Sequence, residues 1–190
     1  MPRPPKHDRD DVLAAAIAVA RSDGLRQVTA RKVAKQLGGS TSVLYRHFET
    51  IDALHEAMIG RVIQRGFAPF VPQVATAGLR SIVEGFCALG DTDPWLVEEL
   101  AVRPAAHPVW AGGRVMLAQA LALLPRYAHL DDAERLALIS RFTPACVGLS
   151  LAWSYGELTD IDEGYAAVVE PVIAHCLAER PRDDLLAGRR

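Results

Sequence analysis

Apolar residues recur along this chain at three- and four-residue spacing almost from end to end, and few β-branched runs alternate with the period of two that strands require. The pattern predicts an all-α protein. Leu13, Ala16, Ile17 and Ala20 make one stripe of a first helix that opens at Asp8 or Asp10 and ends at Gly24. Ala30, Val33, Ala34 and Leu37 make a second, capped by Thr29. Gly38-Gly39 breaks the run, and a third short helix follows from about Ser40, whose hydroxyl is placed to cap it, to His47. Thr50 then restarts the chain as a fourth helix with Leu54, Met58, Ile59 and Val62 inward.

The stretch from Thr29 to Phe48 has the layout of a helix-turn-helix. At about 100 degrees per residue, Leu44 and Phe48 share the inner side of the third helix, while Ser42, Val43, Tyr45 and Arg46 point elsewhere. Such an outer face fits the major groove of DNA, where Arg reads guanine, Ser and Thr bond bases or phosphates, and Val meets a thymine methyl. Ser42, Val43 and Arg46 are therefore the candidates for base edges. Thr29, Arg31, Ser40, Thr41, Tyr45 and His47 are the candidates for phosphates and the groove rim.

The residues Gly38-Gly39-Ser40 and Leu44-Tyr45-Arg46-His47-Phe48 resemble the signature of the tetracycline-repressor (TetR) family of bacterial transcription regulators. In motif detail the resemblance covers about residues 9 to 60, and beyond them only length and helical layout. It supports Tyr45 and His47 as phosphate contacts most directly. It also implies a homodimer, operator DNA as partner, a small-molecule effector in the C-terminal body and a fourth helix that transmits its binding to the heads. The chain departs from the family at Gly39, where an apolar residue is usual, and at Ile51, where a Lys is usual and a phosphate contact is lost.

Charge changes the picture more than composition does. The net charge of -2 conceals eleven Lys or Arg against seven Asp or Glu in residues 1–65, a net of +4, and ten against sixteen in residues 66–190, a net of -6. A basic head on an acidic body concentrates phosphate affinity at one end. The Pro-rich start carries Arg3 and Lys6, which could form an arm reaching DNA. A domain boundary near residue 65 divides a helix-turn-helix head, 1–65, from an effector-binding and dimerisation body, 66–190.

Five further helices are expected in the body, making about nine in all. They carry Leu79, Ile82, Val83, Phe86 and Ala88; a segment with Pro94 in its first turn; Leu117, Leu121 and Leu124; a long helix from an Asp131/Glu134 capping box to about Tyr155; and a last helix behind a second such box at Asp160/Glu163. Pro144 and Pro171 should kink the last two. The long helix is apolar on nearly every side, and Tyr165, Val168, Val169, Val172, Ile173, Cys176 and Leu177 stripe the last one. This pair is expected to meet its copy in a four-helix dimer interface through Leu149, Ala152, Tyr165, Val169, Val172, Ile173 and Cys176. Trp95, Arg103, His107, Trp110, Met116, Phe142, Trp153 and Tyr155 are the candidates for an effector pocket suited to a small apolar or aromatic molecule.

Other chemistry finds little support. His55-Glu56 begins like a zinc-protease helix but has Ile59 where the second His would stand, and no Gly-rich phosphate loop or nucleophile elbow occurs. No enzyme, metal or cofactor is expected. Cys87, Cys146 and Cys176 sit among apolar residues as reduced thiols. With no signal peptide and no apolar run read as a membrane span, the expected location is the cytoplasm. The favoured function is a repressor that releases its operator when a small molecule binds. The alternatives are a helical dimerisation protein that no longer binds DNA and a TetR-like activator without ligand.

Overall fold

The computed structural model describes residues 7–103 and 107–178; the segments with Arg3 and Lys6 and beyond Ala178 lie outside it. Among the described residues all regular structure is helical. Helix α1 (Arg9–Asp23) starts at a capping box in which the Asp8 carboxylate accepts from Asp11 N and the Asp11 carboxylate from Asp8 N. Helices α2 (Ala30–Gln36), α3 (Ser42–Tyr45) and α4 (Ile51–Phe67) follow, with Thr29 capping α2 and Thr50 capping α4 as expected. Val12, Ala16, Val33, Leu44, Leu54 and Met58 close the head's core.

Helix α4 runs without a break through the boundary expected at residue 65 and packs on both head and body. The segment read only as an interruption at Pro72 holds a 3₁₀ turn (Val71–Gln73) and helix α5 (Val74–Ala77). Helices α6 (Arg80–Thr92), α7 (Pro94–Ala101), α8 (Ala111–Ala122, after a 3₁₀ turn Pro108–Trp110) and α9 (Asp132–Ser154) build the body. The chain then continues through α10 (Ile161–Gly164), a π-turn (Tyr165–Val169) and α11 (Glu170–Ala178). The π-turn, in which Glu170 N donates to Tyr165 O, stands directly before Pro171, a residue with no N–H to donate.

Helix α9 is the axis of the body and packs against α6, α7, α8 and α11. By length and composition it is apolar enough to cross a membrane, which corrects the reading that no segment approaches such a span. Here its apolar character serves the interior: Ile139, Phe142 and Cys146 are fully buried. Its crossing with α6 is close, since a Cβ on Gly90 would stand 2.3 Å from Ser154 Oγ and 3.2 Å from Ser150 O. The buried hydroxyls there are satisfied by backbone: Ser150 donates to Phe86 O at 2.5 Å and Thr143 to Ile139 O at 2.7 Å. The Asp131/Glu134 box forms in full, whereas at α10 only half of the expected box appears, with Asp160 accepting from Asp162 N and Glu163 N.

Burial is the main thing that sorts the thiols. It pushes Cys87 up to about 11, helped by the charges of Asp91 and Glu84, and raises Cys146 as well, while Cys176 is half-buried. Because the thiolate is the reactive form, a disulfide reagent at pH 8 should modify Cys87 and Cys146 only after denaturation. Fast titration of all three native thiols would contradict this packing.

Candidate functional site

The turn before α3 is built by α2's end. Gly38 N donates to Lys35 O at 3.1 Å and Gly39 N to Ala34 O at 3.0 Å, the paired bonds of a Schellman motif. Gly38 takes φ 64°, the left-handed region that favours glycine. Gly39 does not, and a Cβ there would meet only Val43 Cγ2 at an ordinary 3.6 Å. The departure at Gly39 thus leaves the joint's geometry intact. Gly38→Ala should cost about 1 kcal/mol, and Gly39→Ala should be neutral or slightly stabilising; thermal melts of the two variants that ranked them the other way would refute this account.

Helix α3 is one turn long and is held by apolar anchors. Leu44 and Phe48 are buried, and Arg9 covers the Phe48 ring at 4.7 Å. It starts later than expected. Thr41 is already in the αR region, and the Ser40 hydroxyl lies 2.6 Å from Ser42 Oγ, so Ser40 caps nothing. Thr41, Ser42, Tyr45 and Arg46 face solvent, and Tyr45 is 52% exposed. Val43 instead leans half-buried onto the core, and His47 is half-buried with Nε2 3.2 Å from His7 O. Thr29's hydroxyl is occupied by Lys32 N, and Arg31 is exposed. Ile51, where the resemblance leads one to expect a cation, is half-buried on the core.

Cations distinguish this face further. Lys32 is tied to Asp23 at 2.7 Å, Arg61 to Asp10 at 2.6 Å and Arg21 to Asp93 at 2.7 Å. Among the described residues, Arg26, Arg31, Lys35 and Arg46 have no such acidic partner and are all exposed. Arg31 and Lys35 share the outer side of α2, one turn apart. Arg26 and Lys35 were not singled out from sequence; the net charge of the head was their only signal.

Two cavities share the Trp110 ring and Thr143. The larger, about 200 Å³, is walled by α7, α9 and Arg103; the smaller, about 20 Å³, lies among Phe67, Phe86, Met116 and Ile139. Arg103 Nη1 reaches Glu56 Oε1 of α4 at 2.7 Å and lies 3.1 Å from His107 Nε2, and Nη2 reaches Glu99 Oε1 at 2.9 Å. Burial acts to lower the Arg103 pKa, but the bonds to Glu56 and Glu99 outweigh it and hold the group above its usual value. Of the other pocket candidates, Phe142 is fully buried in the core. Trp95 donates to Asp93 at the head–body joint, Trp153 donates to Asp91, and Tyr155, 67% exposed, donates to Glu98. The structure therefore brings together Arg103, His107 and Trp110, with Met116 behind them, and places Trp95, Trp153 and Tyr155 elsewhere. Glu56 belongs to this cluster and was missed, since it lies 47 residues away in sequence from Arg103.

Among the expected interface residues, Leu149, Val169 and Ile173 are already buried within the chain. Ala152, Tyr165, Val172 and Cys176 are half-buried, and Val168 is 41% exposed.

Residues 12–58 match the sequence model described as bacterial regulatory proteins, tetR family. The chain is 29% identical over 150 residues to the HTH-type transcriptional repressor DrrR1 of Streptomyces coeruleorubidus, covering 77% of this chain and 53% of that protein, so it spans about half the length of this curated relative. Among solved structures it is similar to the multidrug binding protein EbrR complexed with imidazole, at TM-score 0.65 and 20% identity over 95% of this chain and 99% of that one. It is also similar to BioQ with its double-stranded DNA operator, at TM-score 0.60 and 19% identity over 90% and 100% of the two chains. These likenesses to solved structures concern the fold, and the head, residues 12–58, is similar to the tetR family of bacterial regulatory proteins.

Proposed function

We propose that this chain is a homodimeric, DNA-binding transcriptional regulator, a repressor that releases its operator when a small molecule occupies the body. The observation that carries this reading is the outward face of α3: Thr41, Ser42, Tyr45 and Arg46 are solvent-facing on a helix anchored by Leu44 and Phe48, with exposed Arg26, Arg31 and Lys35 nearby in sequence. Hydroxyls and a guanidinium suit base edges and phosphates in the major groove, and the cations supply a salt-dependent affinity for the backbone. The chemistry is recognition rather than catalysis, and the DNA it serves places the protein in the cytoplasm.

Val43 and His47 act from behind that face in this reading. The first braces the turn, and the second fixes the start of α1 through the His7 carbonyl. The half-buried Ala152, Tyr165, Val172 and Cys176, with exposed Val168, are the surface offered to a second copy. One recognition helix reads few base pairs, and a two-fold pair doubles the site. The protein should therefore run in sedimentation at twice its 20.6 kDa chain mass.

Selection from a random duplex pool, followed by mobility shifts with heparin competitor, tests the function. An enriched inverted repeat with half-sites about one helical turn, or a multiple, apart is the expected product. A pool with no enriched sequence, retained no better than random duplex, would overturn the DNA-binding reading.

A further inference from the structure

The cavity of about 200 Å³ beside Arg103 has a mostly apolar wall. Leu100, Trp110, Val147 and Leu151 form much of its wall, and among the described residues that line it Arg103 is the one charged side chain. A second feature points the same way. Trp110 is 94% buried, it lines this cavity, and its indole N–H has no hydrogen-bond partner. A buried donor left unpaired costs free energy that an incoming acceptor would return. The polar side chains in the wall are the cationic Arg103, Trp110 and Thr143, whose hydroxyl proton is already given to Ile139 O, and no carboxylate is among the described lining residues. A cationic ligand would meet the repulsion of Arg103 with no carboxylate in the wall to offset it. A volume near 200 Å³ is below the range usual for drug-sized ligands and admits a short acyl chain or a single ring.

Arg103 is not idle before such a ligand arrives. Its Nη2 and Nε are held by Glu99, four residues earlier on α7, while Nη1 is held by Glu56 of α4 and lies 3.1 Å from His107 Nε2. The Glu99 pair is local and survives any shift between helices. The Glu56 bond spans head-connected α4 and body, and Glu56 is 45% exposed, so its carboxylate is readily rehydrated when displaced. The Nη1 group is thus the position that an entering anion can take over.

We propose that the cavity binds a small monocarboxylate with an apolar tail, whose carboxylate replaces Glu56 on Arg103 and accepts from Trp110, releasing the polar tie between α4 and the body. The proposal deepens the regulator reading above and rests on it for its biological sense. Ligand and α4 compete for one guanidinium, so occupancy of the cavity and attachment of α4 are linked with opposite sign. No new covalent step is involved.

Calorimetry on the full chain without DNA tests the site, using phenylpropanoate and hexanoate, their methyl esters, and the amines of matching length. The acids should bind at least about tenfold tighter than the esters and amines. Arg103→Gln should erase that preference, and Trp110→Phe, which keeps an aromatic ring, should weaken the acids several-fold. Glu56→Gln should tighten them, because the competing carboxylate is gone. Arg103→Lys, which keeps the charge, should retain part of the preference and guards against a folding defect in the glutamine variant. Hydrogen exchange supplies the second arm: saturating acid should speed exchange in the first half of α4. Esters or amines binding as well as acids, Glu56→Gln weakening the acids, or α4 exchange unchanged at saturation would each overturn the proposal. Intact selectivity and α4 loosening with no change in DNA retention would instead count against the regulator reading alone.

Discussion

Arg21→Ala is expected to lower the stability of the chain by about 2 to 3 kcal/mol and its Tm by roughly 5 to 10 °C. Arg21 lies on α1 of the head and grips Asp93, at the junction of α6 and α7, with Nε and Nη2 at 2.7 and 2.8 Å. Asp93 is 2% exposed and accepts a third bond from Trp95 Nε1 at 3.0 Å. The hydrogen bond to Asp93 raises the Arg21 pKa above its usual value, so the guanidinium keeps its charge. Removing the cation leaves a buried carboxylate with one neutral donor, the situation in which breaking an ion pair costs most. Two things hold the loss below the 3 to 5 kcal/mol of a fully enclosed pair: the Arg21 side chain is 54% exposed, and an open cleft of about 390 Å³ beside it gives water access.

A double-mutant cycle decides whether this account is correct. Asp93→Asn keeps an acceptor for Trp95 and for one Arg21 donor while removing the charge, so it should cost less than Arg21→Ala. The double variant should be more stable than Arg21→Ala alone, since the orphaned charge is gone. Strictly additive losses would mean that the two residues act separately. The pair also ties head to body between residues 72 apart in sequence. Loosened heads should follow, visible as faster proteolysis between α4 and α6.

What could be read in advance was local. Asp8, Thr29, Thr50 and Asp131 cap helices because a carboxylate or hydroxyl within three residues of free N–H groups has few better partners, and that spacing is visible in the chain. Ser40 was misassigned because a nearer partner, Ser42, takes its hydroxyl once Thr41 turns helical. The stripes on α9 and α11 were correctly seen as apolar, but a stripe does not say which molecule covers it: Leu149, Val169 and Ile173 are covered by their own chain. Tryptophans presented the same ambiguity. Trp110 lines a cavity, while Trp95 and Trp153 spend their indole donors on Asp93 and Asp91, acids chosen by folding across the body rather than by proximity in sequence, or, for Asp93, by a two-residue turn. Arg103 with Glu56 and Arg21 with Asp93 needed the tertiary structure for the same reason.

Leu44→Ala and Arg46→Ala should both abolish or weaken DNA binding, by separable routes. Leu44 is 1% exposed and is the buried residue of a helix only four residues long, which cannot sustain itself by propensity. Truncation removes most of its anchor and should cost about 3 kcal/mol, spent in the head, so that α3 loses its seat while the body's α6–α9 core melts as before. Arg46, exposed and without an ion pair among the described residues, supports nothing in the fold, and its replacement should leave the melt unchanged. The affinity for a selected duplex should nevertheless fall by about 1 to 3 kcal/mol. If Arg46 reads a base, that loss comes with relaxed preference at one position of the site; if it holds a phosphate, preference stays and the slope of log affinity against log salt shrinks by about 0.9. An Arg46→Ala protein with wild-type affinity, preference and salt slope would remove the residue from the interface, and a Leu44→Ala protein with full affinity would show that α3 is held by Phe48 and the Gly38 turn alone.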